Sequence, residues 1–488
     1  MGFVRSKSIE KLASEGAATK DVANLALATY FAMGVCYLLP WNAFITAVDY
    51  FDYLYPNSHI DRVFSVSYLL PCLVTLCVVL VYEDRTSSRL RINLGLALLL
   101  SSTLAVPFID IVVLRGDGGV SNSIGHVTTV LAVVGAGIGD ALVQGTLIGV
   151  AGELPDRYMQ AIVSGTGVCG VLISVLRILT KAAVPQGVHG LRTSANIYFS
   201  IGSGVIILCI IGYNQVHRLT VREQYGSAKS FDSETQDLET PDSSSLLDNA
   251  TYGGSEITAS LSGSAENATT SLMAVFVKLR WLTGSFILIY VVTLSIFPGF
   301  LTEDVHSAFL GDWYGILLLT TFNVFDLVGK SGTILYTPET PLVTVVGSAA
   351  RLLFYPLFAG CLHGPKAFRT EVPVFLLTGL LGITNGYFTS TGFIIAPKVV
   401  APDEIERAGT LMVIFLVVGL TVGSFVYESF RVLAQSAGPI RQTKRSKNPA
   451  FRGRVVSCAN FGIDMKTFTR KFQCSSCIEV DHSLLSLV

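Results

Sequence analysis

Long apolar runs alternate with short polar connections along most of this chain. A helix needs about 20 apolar residues to cross the hydrocarbon core of a bilayer, and eleven runs approach that length. They lie approximately at 24–47, 63–82, 92–113, 127–151, 161–181, 195–213, 281–300, 314–335, 342–361, 374–395 and 408–433. Six runs precede a long polar segment and five follow it. The pattern predicts an all-α polytopic membrane protein with eleven transmembrane helices.

The same pattern divides the chain into five parts. They are an N-terminal segment (1–22), a six-helix half (23–214), a polar linker (215–280), a five-helix half (281–434) and a basic polar tail of unassigned role (435–488). The linker is rich in Ser, Thr, Gly, Asp and Glu and has too few large apolar side chains to bury a core. That composition predicts disorder between the two halves.

Charge sets the expected orientation of the helices. Short loops on the side of the N-terminus and linker carry more Lys and Arg than the opposite loops, which places both segments in the cytoplasm and, with eleven spans, the C-terminus outside. The basic tail favours the opposite side for itself. A glycan on the sequon at Asn249 or Asn267 would place the linker in a lumen and reverse this topology.

Composition supports a membrane protein and excludes several other classes. Of the 488 residues, 51% are hydrophobic and 14% are charged, with a net charge of −1, whereas soluble domains carry about 25% charged residues. The sequence contains no basic domain outside the tail, so we expect no nucleic-acid polymer as partner. It contains no Walker A loop, nucleophile elbow or metal-binding histidine pair, which predicts neither ATP drive nor enzyme activity. Cys474-Ser-Ser-Cys477 is half of a zinc site, and we expect no metal or cofactor.

The eighth apolar run contains two charges one helical turn apart, Asp326 and Lys330, with Asn323 three residues before them. Charges at membrane depth are costly and usually face a bundle interior or a water-filled path. These residues therefore predict a hydrogen-bonding stripe that faces a substrate. In the alternative, Lys330 extends its stem to the membrane surface, and Asp326 forms a structural ion pair with Lys330 or Arg351.

Three more polar residues interrupt the fourth and ninth runs. Asp140 and Gln144 lie four residues apart and share a helical face, which favours a functional site over the alternative of helix–helix hydrogen bonding. Arg351 lies near the middle of its run. We interpret it as structural, paired with Asp326 or Asp140, because an unpaired guanidinium is hard to tolerate there.

Aromatic and small residues mark two further stretches. In the first run, Pro40 removes a backbone hydrogen bond, and Trp41 and Asn42 follow it directly. The indole offers a stacking face and one donor, unless Trp41 belongs to the aromatic belt at the membrane surface. In the tenth run, the stretch 382–390 either lines a cavity or packs tightly, and both interpretations stay open.

Several motifs together resemble the equilibrative nucleoside transporter family. They are Leu38-Leu-Pro-Trp-Asn42, Asp49-Tyr-Phe51, Gln144-Gly145, Gly149-Val-Ala-Gly-Glu-Leu-Pro155, Ser164-Gly165, Ser295-Ile-Phe-Pro298, Phe322-Asn-Val-Phe-Asp326, Gly329-Lys330 and Thr384-Asn-Gly-Tyr387. Asp140 directly before Ala-Leu-Val-Gln resembles the plant branch, whose members are often proton-coupled. The order and spacing of the motifs make the resemblance specific.

The resemblance implies a six-plus-five, major-facilitator-like arrangement with a cytoplasmic loop between the halves. It implies that Leu38, Trp41 and Gln144 contact a nucleoside, the latter two nearer the base. Asp326 and Lys330 then serve the ribose hydroxyls, although family members usually carry Arg at the position of Lys330. The plant-type match makes Asp140 the candidate for proton coupling, so protons are the one ion that we expect to take part.

These observations predict an alternating-access transporter that moves nucleosides across a membrane, either facilitative or proton-coupled. The expected partners are a small-molecule nucleoside and the lipid bilayer. The plasma membrane is the expected location, with the vacuolar membrane as the alternative. Two other functions stay open: a major-facilitator-like carrier of another polar solute, such as a sugar or amino acid, and a membrane scaffold that transports nothing.

Overall fold

A computed structural model describes residues 2–55, 60–112, 120–184, 187–236, 260–297, 307, 309–363, 365, 368 and 370–436, with the side chains of the first helix from residue 23 onward. The chain divides into two compact units, Met1–Val432 and Leu433–Val488. The predicted tail falls in the second unit, and from residue 437 onward it lies outside the described residues.

Every regular element in the described part of the chain is helical. The α-helices are α1 (Gly2–Thr46), α2 (Val48–Leu54), α3 (Ile60–Tyr82), α4 (Ser88–Val112), α5 (Val120–Gly152), α6 (Asp156–Ala183), α7 (Val188–Gln236), α8 (Ser260–Ile296), α9 (Tyr314–Gly332), α10 (Leu342–Ala350), α11 (Phe354–His363), α12 (Glu371–Val399) and α13 (Ile405–Ser436). The predicted all-α class is therefore confirmed.

Over the described residues, ten helices are long and apolar enough to cross a membrane, six before the linker and four after it. The predicted count of eleven is not confirmed. The difference lies in α9, a continuous helix of 19 residues that is not among the ten. Asn323, Asp326 and Lys330 lower its mean hydropathy, which is the feature that made this run a candidate site.

Two predicted elements have different boundaries in the structure. Helix α7 continues to Gln236 and α8 begins at Ser260, so the linker predicted as disordered over 215–280 is helical at both ends. The chain has no proline from residue 215 until Pro241 to stop a helix that leaves the membrane. Residues 237–259, including the sequon at Asn249, lie outside the described residues.

The predicted ninth span, 342–361, is one of the ten candidate spans, but its middle turn is tightened. Helices α10 and α11 are joined without interruption by a 3₁₀ turn over Arg351–Leu353. Pro356 accounts for the tightened turn, because its ring crowds the carbonyl four residues earlier and it donates no backbone hydrogen bond. Arg351 therefore sits at the start of the tighter turn, on the inner side of the bundle.

Each half has its own packing. In the first half, α3 and α4 pack on α5, and α6 and α7 pack on α1. In the second, α9 packs on α12, and α8 packs on α10 and α12. The two halves meet where α6 contacts α9. A site between the halves is therefore flanked by α6 of the first half and α9 of the second.

One end of the bundle is closed by ion pairs between the halves. Arg91 at the start of α4 pairs with Glu406 at the start of α13. Lys398 near the end of α12 pairs with Asp156 at the start of α6, with 2.6 Å between Nζ and Oδ2. The Thr410 hydroxyl also donates to the Gly145 carbonyl at 3.3 Å. In the predicted topology this end faces the cytoplasm.

Candidate functional site

Asp326 and Lys330 of α9 are buried and form an ion pair with each other. Lys330 Nζ lies 2.7 Å from Asp326 Oδ2, and only 9% of Lys330 is exposed. The alternative in which Lys330 extends to the membrane surface is therefore wrong in this structure. The Asn385 side-chain amide of α12 donates to Asp326 Oδ1 at 2.8 Å. Asp326 thus has one cationic and one neutral partner, and its carboxylate can still accept further hydrogen bonds.

Arg351 supports this pair indirectly. The guanidinium is 1% exposed and donates to the Thr293 hydroxyl at 2.6 Å, which lies 2.8 Å from Asn385 Oδ1. It also donates to the Leu381 carbonyl at 3.1 Å. The predicted direct partner, Asp326 or Asp140, is corrected: two neutral side chains, Thr293 and Asn385, stand between Arg351 and Asp326, because the guanidinium is held against α12.

Asn323 points toward the other half. Its side-chain amide donates to the Ser174 hydroxyl of α6 at 2.8 Å. The three polar residues predicted to form one stripe on α9 therefore make two different sets of contacts. Asp326 and Lys330 pair with each other and with α12, whereas Asn323 holds α9 against the first half.

Trp41 forms part of an aromatic pair inside the bundle. Its indole is half-buried and stacks on the Tyr68 ring of α3, with 4.2 Å between ring centroids and 28° between planes. Leu38, one turn earlier on α1, is also half-buried, and it packs against the apolar core of the first half. The next residue, Asn42, donates back to the Leu38 carbonyl at 2.9 Å.

Asp140 and Gln144 are both buried on α5. The Tyr37 hydroxyl interacts with both side chains, so the two residues share a face as the four-residue spacing predicted. The buried Asp140 Oδ1 has no hydrogen-bond partner, and among the described side chains Asp140 takes part in none of the ion pairs. The alternative of helix–helix hydrogen bonding stays open at Asp140, because the Tyr68 hydroxyl of α3 interacts with its carboxyl.

Two electrostatic interactions link the two halves close to these side chains. Asn42 donates to Cys169 Sγ of α6 at 3.6 Å, and the charge of Lys330 acts on the same thiol from α9. Tyr37 of α1 interacts with Tyr290 of α8, whose hydroxyl receives a hydrogen bond from Thr389 at 3.4 Å. Residues from both halves therefore converge on one region.

The sequence-based prediction missed three polar partners in this region: Tyr37, Tyr68 and Thr293. A Tyr or Thr inside an apolar run is compatible with lipid exposure, packing or a site, so composition alone does not distinguish these roles. The stretch 382–390 was recognised as either cavity-lining or packing, and Asn385 within it contacts Asp326.

Comparison with known proteins agrees with this architecture. A family model described as nucleoside transporter matches residues 130–432. The chain is 50% identical to equilibrative nucleotide transporter 1 of Arabidopsis thaliana, over 84% of this chain and 86% of that protein. It is 40% identical to equilibrative nucleotide transporter 8 of the same plant, over 86% and 98%, and 29% identical to equilibrative nucleoside transporter 4 of Homo sapiens, over 82% of each.

Solved structures identify the fold. The major facilitator transporter FucP in its outward conformation superimposes with a TM-score of 0.57 at 12% identity, over 86% of this chain and 92% of that one. The proton:xylose symporter XylE gives a TM-score of 0.57 at 12% identity, over 86% and 90%. The predicted major-facilitator-like arrangement is thereby confirmed, and the family match with the plant relatives confirms the prediction of a transporter rather than an enzyme. The sequence motifs, the family match and the similarity to the plant proteins lead to one conclusion: this chain belongs to the equilibrative nucleoside transporter family.

Proposed function

We propose that this protein carries nucleosides across a membrane by alternating access. Substrate binds between the halves, with Leu38, Trp41 and Gln144 beside the base and Asp326 and Lys330 beside the ribose. Asn323 stays a predicted contact, although its amide is engaged by Ser174 in this conformation. We further propose the plasma membrane as its location, with the N-terminus and linker in the cytoplasm.

The observation that carries the proposal is the buried Asp326–Lys330 pair at the region where both halves converge. A carboxylate has about four acceptor positions, and the Lys330 ammonium and the Asn385 amide occupy two of them. The remaining positions suit the vicinal hydroxyls of a ribose. Because the cation is already paired, the site favours a neutral polar solute over a phosphorylated one. The Trp41 indole supplies the stacking face that a base requires.

Uptake into cells that lack nucleoside transport tests this function. We expect adenosine and uridine to enter, and unlabelled uridine to compete with labelled adenosine while glucose does not. Competition by glucose alone would identify a carrier of another solute. Uptake at background, with correctly folded protein at the cell surface, would identify a scaffold that transports nothing.

Proton coupling is the sharper form of the proposal. A carboxyl group buried without a cation is favoured in its neutral form, and Asp140 is 3% exposed with an unpartnered oxygen. The titratable groups that interact with it are Cys36 and Tyr37 on α1 and Tyr68 and Cys72 on α3. None of these is a cation at neutral pH. Asp140 therefore has the surroundings of a group that takes up a proton from one side and releases it to the other.

Replacing Asp140 with Asn should remove the pH dependence of uptake. Acidic medium protonates the carboxyl and should raise uptake by the wild-type protein, whereas the amide is neutral at every pH. The measurement compares initial uptake rates in acidic and neutral medium. Asp403→Asn, which removes an exposed carboxyl at the start of the last span, serves as the control and should keep the wild-type response. If wild-type uptake does not respond to pH, the protein is facilitative.

A further inference from the structure

The two halves repeat one helix crossing. Gly137 of α5 lies so close to α3 that an added Cβ would clash with the Tyr68 carbonyl oxygen. Gly386 of α12 lies against α9 in the same way, and its Cβ would clash with the Asp326 carbonyl oxygen. Helices α3 and α5 are the second and fourth long helices of the first half, as α9 and α12 are of the second. Tyr68 therefore occupies in one half the place that Asp326 occupies in the other.

The two places differ in how their polar groups are satisfied. In the second half, Asp326 receives a hydrogen bond from Asn385 at 2.8 Å and pairs with Lys330. In the first half, the Tyr68 hydroxyl faces the Asp140 carboxyl and interacts with it. Neither the hydroxyl nor Asp140 Oδ1 has a partner in hydrogen-bond geometry, and both atoms are buried.

Unpaired polar atoms at this depth require an explanation. Tyr68 is 4% exposed and Asp140 is 3% exposed, and most buried polar groups in proteins have a hydrogen-bond partner. Leaving one unpaired costs about 1–3 kcal/mol. Here the donor is the Tyr68 hydroxyl and the acceptor is Asp140 Oδ1, and the Tyr68 ring that carries the hydroxyl stacks on Trp41. Such an arrangement is complementary to a flat ligand that carries a donor and an acceptor on one edge.

We propose that the Tyr68 hydroxyl and the Asp140 carboxyl recognise the edge of an amino-bearing nucleobase, adenine or cytosine. The carboxyl accepts a hydrogen bond from the exocyclic amine, and the hydroxyl donates to the neighbouring ring nitrogen. In the same pose, hypoxanthine and uracil place an oxo group against the carboxyl and a protonated ring nitrogen against the hydroxyl, so with an ionised carboxylate neither contact forms. This inference rests on the proposed function and adds the substrate preference of the same site.

The edge contact is compatible with either protonation state of Asp140. An ionised carboxylate offers acceptors only, whereas a protonated carboxyl keeps one acceptor and gains one donor. The amine is accepted in both states. Because the donor of the protonated carboxyl can also bond an oxo group, the preference for an amino-bearing base is expected with the carboxylate ionised, and the substrate pairs are compared at one alkaline pH.

Two substrate pairs test the proposal, adenosine with inosine and cytidine with uridine. In the wild-type protein we expect the KM of the oxo member to exceed that of the amino member by at least about tenfold, as the loss of one hydrogen bond to a charged group implies. Tyr68→Phe keeps the ring stacked on Trp41 and removes the hydroxyl. It should raise the KM of adenosine and cytidine about fivefold and leave that of inosine and uridine within about twofold.

Tyr198→Phe is the matched control. Tyr198 is also buried in the first half, but its hydroxyl lies 2.6 Å from the Thr180 hydroxyl, away from Trp41 and Asp140. This variant should leave all four KM values unchanged. An equal rise for both members of each pair in Tyr68→Phe would give the hydroxyl a purely structural role and overturn the proposal, as would a wild-type protein without preference. Absence of uptake for every nucleoside would instead refute the proposed function.

Discussion

Replacing Asp326 with Asn should lower nucleoside uptake about 100-fold, because hydrogen bonds to a charged group contribute about 1.5–3 kcal/mol each and two ribose hydroxyls would lose them. The same substitution leaves Lys330 buried without its anion at a cost of about 3–5 kcal/mol. Uptake is therefore to be measured as KM and maximal rate, normalised to the folded protein at the cell surface.

A double variant separates these two effects. Asp326→Asn with Lys330→Met removes both charges at similar volume, and such replacements of buried ion pairs are often neutral for stability. We expect folding to recover while uptake stays low. Normal uptake by the folded double variant would show that the pair is structural only. Lys330→Arg keeps the charge next to Asp326, and we expect it to retain more than half of the wild-type rate.

Arg351→Ala should destabilise the protein by about 3 kcal/mol, the size expected when a large buried side chain is truncated. The guanidinium donates hydrogen bonds to the Thr293 hydroxyl and the Leu381 carbonyl. Because Thr293 in turn donates to Asn385, loss of Arg351 weakens the positioning of Asn385. The measurement is the thermal unfolding midpoint of the purified protein. The KM of the surviving folded fraction should rise no more than about threefold, because Arg351 reaches Asp326 only through two other side chains.

Lys278→Ala supplies the comparison for Arg351. Lys278 also forms an ion pair, with 2.6 Å between Nζ and Glu404 Oε2, but 41% of its side chain is exposed. Exposed pairs contribute at most about 1 kcal/mol, so its removal should barely change the midpoint. An unchanged midpoint in Arg351→Ala as well, or a KM raised tenfold or more, would contradict the structural role assigned to Arg351.

The sequence predicted the parts of the site that break the apolar pattern. Asp140, Asp326 and Lys330 are costly in a membrane, so their presence in long apolar runs indicates that they share a polar interior. The same rule explains why α9 is not among the ten helices that are apolar enough to span a membrane. A helix that carries site residues is by necessity less apolar than its neighbours.

The sequence alone did not reveal which side chains these residues contact. Tyr68 stacks on Trp41 and faces Asp140 only because Gly137 lets α3 and α5 approach closely. Arg351 makes no direct contact with Asp326, because it lies at a 3₁₀ turn before Pro356 and its guanidinium donates to α12. Both outcomes depend on helix register and crossing distance, which one sequence does not fix. Residue type predicted the chemistry, and packing determined which groups meet.

The ion pairs at the closed end of the bundle bear on how easily the carrier can reverse. Lys398 and Asp156 are each 49% exposed, and a pair of that kind contributes at most about 1 kcal/mol and weakens with salt. Arg91, which pairs with Glu406, is only 5% exposed. Opening this end would bring its guanidinium into water, which solvates the charge. Part of the cost of separating the halves is then returned by hydration, so these ion pairs add little to the barrier for opening this end.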